Sequence, residues 1–169
     1  LALAGLSACS SGAKKPQPTE LPPVAALMGT RAAWTAQVGA TTESLTPLVS
    51  GGRVFAASTA GTVVALNGAT GQDVWRLNLG TPIAAGVGSD GQTAAVVTQS
   101  NQLVALADGR ELWRVRLPAR GFTAPLVAGA RVFVLTADRT VTAFDARNGA
   151  RLWVQSRTAE PLVLSQSGA

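Results

Sequence analysis

TPLVSGGRVFAASTAGTVVALNGATGQDVWRLNLG, residues 46–80, decides the fold, because the chain writes it three times. TPIAAGVGSDGQTAAVVTQSNQLVALADGRELWRVRL follows from Thr81. TAPLVAGARVFVLTADRTVTAFDARNGARLWVQS follows from Thr123. Each copy runs through a Pro-led apolar stretch, a Gly turn, a second apolar stretch, a polar turn, a third stretch, a Gly turn and a Trp stretch. Tryptophans at 34, 75, 113 and 153 mark the period, with spacings of 41, 38 and 40 residues. A fixed period near 40 with four short strands per copy is the signature of propeller blades.

The residue types fit that reading mechanically. Val, Thr and Phe fill the apolar stretches, and such residues favour a pleated, packed surface. Gly51 and Gly52, Asp90 and Gly91, and Ala128 and Gly129 stand where two-residue hairpins need positive φ. Asn67 and Asp145 are placed for Asx turns, with Gly71 and Gly149 completing the connection to the fourth strand. The second copy is two residues shorter there and offers Asp108-Gly109 as a tight hairpin. Along the second strand, Val54, Ala56 and Ser58 face one way and Phe55 and Ala57 the other. Both faces are nearly apolar, as a sheet sandwiched between neighbours requires. A large ring on the fourth strand fills the wedge between blades.

The expected fold is therefore all-β: a β-propeller of four-stranded antiparallel blades, about three of them present, plus an N-terminal closing strand. The blades are expected at about 46–80, 81–122 and 123–160, with a fourth starting from Pro161. Arg31–Val38 carries only the Trp-strand signature, RAAWTAQV, and reads as the strand that completes the last blade of a closed ring. Three blades do not close a circle. The chain also begins at Leu1 without Met, so it reads as a piece of a longer protein.

Composition narrows the function. The chain holds no His and a single Cys, which excludes an imidazole general base, a Ser–His triad and a His-ligated metal from this segment. Cys9 has no partner for an internal disulfide. The net charge of +5 invites a nucleic-acid reading, but the cations are spread along the chain. The one local run, Arg110, Arg114, Arg116 and Arg120, is not interleaved with aromatic rings as stacking platforms would be. It reads as a solvated outer strand whose Arg stems lie over apolar surface, and no nucleic-acid partner is expected.

The first ten residues, LALAGLSACS, read as the tail of a secretory signal peptide over 1–8. Leu6-Ser7-Ala8-Cys9 resembles a bacterial lipobox, which makes Cys9 the acylated first residue of the mature chain. Residues 9–29 follow as a lipidated Cys and a flexible Pro-rich tether, and 30–169 as a partial propeller. A tether of about 18 residues reaches on the order of 25 Å. The resemblance to such lipoproteins implies the outer membrane as the expected site, because Ser10 stands where an Asp would favour inner-membrane retention, and two or more acyl chains would make anchoring there stable.

The repeats ALNGATGQDVW (65–75) and AFDARNGARLW (143–153) resemble the quinoprotein-dehydrogenase-type propeller repeat. Together with the lipobox, the Pro-rich tether and AAWTAQVG, the arrangement resembles the BamB family, lipoproteins of the outer-membrane β-barrel assembly machine. The resemblance covers essentially the whole chain but under half of a full family member, which has about eight blades. It implies a non-catalytic scaffold on the periplasmic face of the outer membrane. No cofactor is implied. The implied partners are BamA, other members of the complex and unfolded outer-membrane proteins.

The resemblance also implies a BamA contact through an L-x-L element after the third blade. Leu162 and Leu164 match it, while Ser165 and Gln166 stand where an Arg is expected. The same two leucines also read as the first strand of a fourth blade, and both readings can hold. Two other readings remain: a quinone-dependent dehydrogenase, which needs converging carboxylates, and a sensor or binding propeller of another kind.

Overall fold

A computed structural model describes Gly29 and residues 31–157. The described chain folds into twelve strands in three sheets, each a four-stranded antiparallel meander. The first sheet is β1 (Leu48–Ser50), β2 (Arg53–Ala57), β3 (Thr62–Asn67) and β4 (Asp73–Asn78). The second is β5 (Ile83–Ser89), β6 (Ala94–Thr98), β7 (Gln102–Ala107) and β8 (Arg110–Arg116). The third is β9 (Leu126–Ala128), β10 (Arg131–Leu135), β11 (Thr140–Asp145) and β12 (Arg151–Ser156). The three blades expected from the repeat are present, in an open arrangement.

Register explains how the blades stack. Strand residues alternate between the two faces of each sheet. In the first blade Phe55 and Ala57 join Val63, Ala65 and Trp75 in a core shared with Ile83, Val96, Val104 and Leu106 of the second. Ala56 turns the other way, with Val64 and Leu66, against Trp34, Val38 and Val54. A second inter-blade core joins Ala95, Val97, Leu103 and Trp113 to Val132, Val134 and Phe144 of the third blade. The first strands β1, β5 and β9 lie in succession against one another. Gly88 on β5 permits that approach, since a Cβ there would overlap the Pro125 carbonyl oxygen.

Each Trp strand carries a β-bulge at the same place: the register shifts between Ala65 and Leu66, Ala105 and Leu106, and Ala143 and Phe144. The bulges fall opposite the Trp and re-aim the side chains around it.

Several local readings need correction. Arg31–Val38 forms no strand in the described structure, because no ladder partner lies beside it. It still occupies the place of a fourth strand against the first blade. Trp34 Nε1–H donates to Gly68 O at 3.0 Å, the Arg76 guanidinium to Gln37 O, and Thr59 N–H to Ala40 O. The third-blade hairpin uses Gly129 and Ala130, both with φ of 57°, instead of Ala128 and Gly129. Asp90 takes no positive φ. Its carboxylate accepts from Gln92 and Thr93 N–H, and only Gly91 is left-handed. Ser58 lies beyond β2 as a buried turn hydroxyl.

Candidate functional site

The repeated side-chain geometry of the described residues lies in the joints between blades and in the sheet ends. Cys9, Leu162 and Leu164 lie outside the described residues, as do the signal segment, the tether and the start of a fourth blade.

The joints repeat one device. Asn67 accepts from Ala69 and Thr70 N–H, Asp145 accepts from Arg147 N–H, and Gly71 and Gly149 close the turns at φ +73° and +71°. Each glycine lies under the tryptophan of the preceding blade. A Cβ on Gly71 would sit 2.5 Å from Trp34 ring carbons, and one on Gly149 would sit 2.7 Å from Trp113 Cδ2. Trp113 Nε1–H donates to Ala146 O at 2.8 Å, as Trp34 does to Gly68 O. The ring is thus held by a bare backbone below it and a carbonyl at its edge.

The shortened second copy breaks half of this device. Gly109 still lies under Trp75, but Asp108-Gly109 turns through positive φ and brings no carbonyl to the indole. Trp75 Nε1 is buried and has no partner among the described residues. Trp75 and Trp113 are 8% and 9% exposed, whereas Trp153 is 44% exposed, because no described residue covers its blade. The far face of the third blade, with Leu126, Leu135 and Trp153, is the open counterpart of surfaces buried in the other two.

The sheet end at the β2–β3, β6–β7 and β10–β11 turns has its own repeated chemistry, which sequence reading missed. Ser58, Thr98 and Thr136 are buried hydroxyls closing these turns. Ser58 and Thr98 accept from the N–H four residues on, and Thr136 donates to Thr140 O. Gly61, Asn101 and Arg139 take the positive φ and offer their carbonyls to the N–H of Leu79, Leu117 and Arg157. The only sequence signal is a hydroxyl four residues before Thr62, Gln102 and Thr140. The described chain leaves the third blade at this end, at Arg157. Phe122, Leu135 and Arg139 line a small pocket here, and the Arg120 guanidinium lies 5.3 Å from the Phe122 ring centre.

The charged groups are engaged locally. Asp73 binds Arg76 at 2.7 Å and Glu111 binds Arg114 at 2.8 Å, and in each pair the hydrogen bond lowers the carboxyl pKa and raises that of the arginine. The Thr136 hydroxyl lowers the Asp138 pKa, and the Arg147 backbone N–H lowers that of Asp145. Of the expected Arg run, Arg114 is drawn into an ion pair, Arg120 onto a ring, and Arg110 and Arg116 stay exposed. Among the described residues no three His, Cys, Asp or Glu side chains gather as a metal-ligand set.

Comparisons with known proteins agree on one family. A family model described as outer membrane protein assembly factor BamB matches residues 59–169. The BamB assembly factor of Bordetella pertussis is 36% identical over 166 residues, which is 97% of this chain and 43% of that protein. That of Burkholderia pseudomallei is 36% identical over 170 residues, 99% of this chain and 44% of that protein. The chain therefore spans less than half the length of these relatives. Among solved structures, BamB from Moraxella catarrhalis superposes with a TM-score of 0.59 at 29% identity, over 69% of this chain and 37% of that one. A quinohemoprotein alcohol dehydrogenase from Pseudomonas putida HK5 reaches 0.54 at 21% identity, over 65% of this chain and 20% of that one, a likeness of fold alone. Three blades joined by tryptophan on glycine, matched in sequence across two-thirds of the chain, make it a member of the BamB family of outer membrane protein assembly factors.

Proposed function

We propose that this chain is part of a non-catalytic scaffold acting in outer-membrane protein assembly, tethered at the periplasmic face of the outer membrane through acylated Cys9 and bound to BamA. The observation that carries the reading is the family match over 59–169, laid on blades whose acids at Asp73, Asp90, Glu111, Asp138 and Asp145 serve turns and ion pairs. Asp90, Asp138 and Asp145 serve turns, and Asp73 and Glu111 serve arginines, so these acids are committed to structure. The quinone-dependent alternative has less behind it. Trp75 and Trp113, the rings a planar cofactor would stack on, are enclosed between blades.

A rigid frame suits this work. Blades locked in register present a fixed sheet end, and the chain leaves that end at Arg157, five residues before Leu162. Leu162 and Leu164 are the proposed BamA contact, each contributing roughly 1.5–3 kcal/mol if fully enclosed by the partner. Other complex members and unfolded outer-membrane proteins are further proposed partners.

The test is co-purification from membranes of the full-length protein. Leu162→Ser with Leu164→Ser should weaken BamA recovery at least about tenfold with the circular dichroism spectrum unchanged. Cys9→Ser should release the protein from the membrane fraction. Undiminished BamA recovery, or loss only with loss of the fold, would remove the contact. Unchanged fractionation of the Cys9 variant would remove the anchor.

A further inference from the structure

The outer wedges between blades can be compared position by position. On β4, Asp73 stands opposite Leu66 and Arg76 opposite Val64, facing the N-terminal segment. On β8, Glu111 stands opposite Leu106 and Arg114 opposite Val104, facing the first blade. In both, the acid and the arginine three residues on form an ion pair on the wedge face, and in the first Arg76 also reaches Gln37 O. On β12 the same two positions are Arg151, opposite Phe144, and Val154, opposite Thr142. The acid has become a base and its partner has become apolar.

At these positions lies a pocket of about 420 Å³ between the second and third blades. It is lined by Val115, Pro118, Phe144 and Val154 together with Arg116 and Arg151. Neither arginine belongs to an ion pair among the described residues. Elsewhere in this repeat an acid–arginine pair is neutral. Here two cations line an apolar-walled space with no anion.

We propose that this wedge is a binding site for a carboxylate-bearing peptide segment, an acidic side chain flanked by apolar ones, which supplies from outside the acid that the third copy lacks. The apolar walls match the flanking side chains, and a guanidinium pairs with a carboxylate in two parallel hydrogen bonds. A phosphate would leave those walls without apolar partners. The site does not depend on the BamA contact proposed above, since it lies between β8 and β12 and involves neither Leu162 nor Leu164.

The probe is a blocked tripeptide with glutamate between two leucines, titrated into the isotope-labelled full-length protein and followed by amide NMR shifts around Gly149 and Val154. Its glutamine counterpart and inorganic phosphate serve as comparisons. The glutamate peptide should shift these signals and bind at least about tenfold more tightly than either. Arg151→Gln should lose that preference. So should the pair Arg151→Glu with Val154→Arg, which rebuilds the ion pair of the second blade and so keeps the repeat's own packing. Arg131→Gln, at an exposed position on β10, should not. Equal binding of the glutamine peptide, binding unaffected by the Arg151 changes, or no binding of either peptide would overturn the proposal. Phosphate binding as tightly as the glutamate peptide would also overturn it, in favour of a simple anion site.

Discussion

At the residue scale the joints depend on two glycines that do more than turn the chain. Gly149 sits at φ +71° with the Trp113 ring where its side chain would be, while Gly129 sits at φ +57° with nothing within 4 Å. The two positions separate backbone strain from packing. Gly129→Ala should cost about 1 kcal/mol, the ordinary penalty for a side chain in the left-handed region. Gly149→Ala adds displacement of a buried indole and the loss of its bond to Ala146 O, and should cost about 3 kcal/mol in all. Urea denaturation of the two variants measures the difference, and equal values would mean that the ring relaxes freely. Asn67, Asp145 and their glycines were legible as turn residues because Asx and left-handed preferences are local. That the glycines also carry Trp34 and Trp113 was not legible, because those contacts join residues 37 and 36 positions apart.

At the scale of the element, one hairpin has lost two residues and the neighbouring blade shows the effect. The β3–β4 and β11–β12 turns bring a carbonyl to an indole N–H, and the β7–β8 turn does not. Trp113→Phe removes a made hydrogen bond to Ala146 O, whereas Trp75→Phe removes an N–H that has no partner among the described residues. Both lose ring area. Trp113→Phe should therefore be the more destabilising by about 1–2 kcal/mol in chemical denaturation. Equal losses would indicate that Trp75 Nε1–H is satisfied by water. The hairpin corrections belong here as well. Ala130 rather than Ala128 is left-handed, because hairpin register is set by strand pairing, Arg131 with Ala128, and by no single residue's preference.

For the whole molecule, the acids suggest how stability follows pH. Asp73, Glu111, Asp138 and Asp145 all have carboxyl pKa values lowered in the fold, chiefly by hydrogen bonds to Arg76, Arg114, the Thr136 hydroxyl and the Arg147 N–H. A lowered folded pKa means that these groups stabilise the fold above their unfolded values of 3.8 for Asp and 4.5 for Glu. That contribution is lost as pH falls through the lower folded values. With no histidine in the chain, no side chain of ordinary pKa titrates between about pH 5 and 8. The melting temperature should be flat across that interval and decline below about pH 4. The Asp73–Arg76 and Glu111–Arg114 pairs are partly exposed and screened by solvent, so the decline should be shallow. A steep transition near neutrality would show that this account omits a coupled group.

The sequence by itself determined the class of fold, the number of blades in the described chain, the four-strand plan and the turns at Asn67, Asp108 and Asp145 that lead into each fourth strand. These are properties of short segments repeated at a fixed period, and period and turn chemistry are written along the chain. Tertiary structure decided everything that joins one repeat to the next. It showed that Trp34 and Val38 pack on the first blade without forming a ladder, that buried hydroxyls at Ser58, Thr98 and Thr136 tie their turns, and that the Trp75 indole finds no partner among the described residues. It also showed that Arg151 and Val154 line a pocket at the positions where the blade before carries an ion pair. The physical reason is distance along the chain. Contacts between repeats join residues 30 to 40 apart, whose side chains meet only when the sheets stack, and no local pattern encodes which partner each will find.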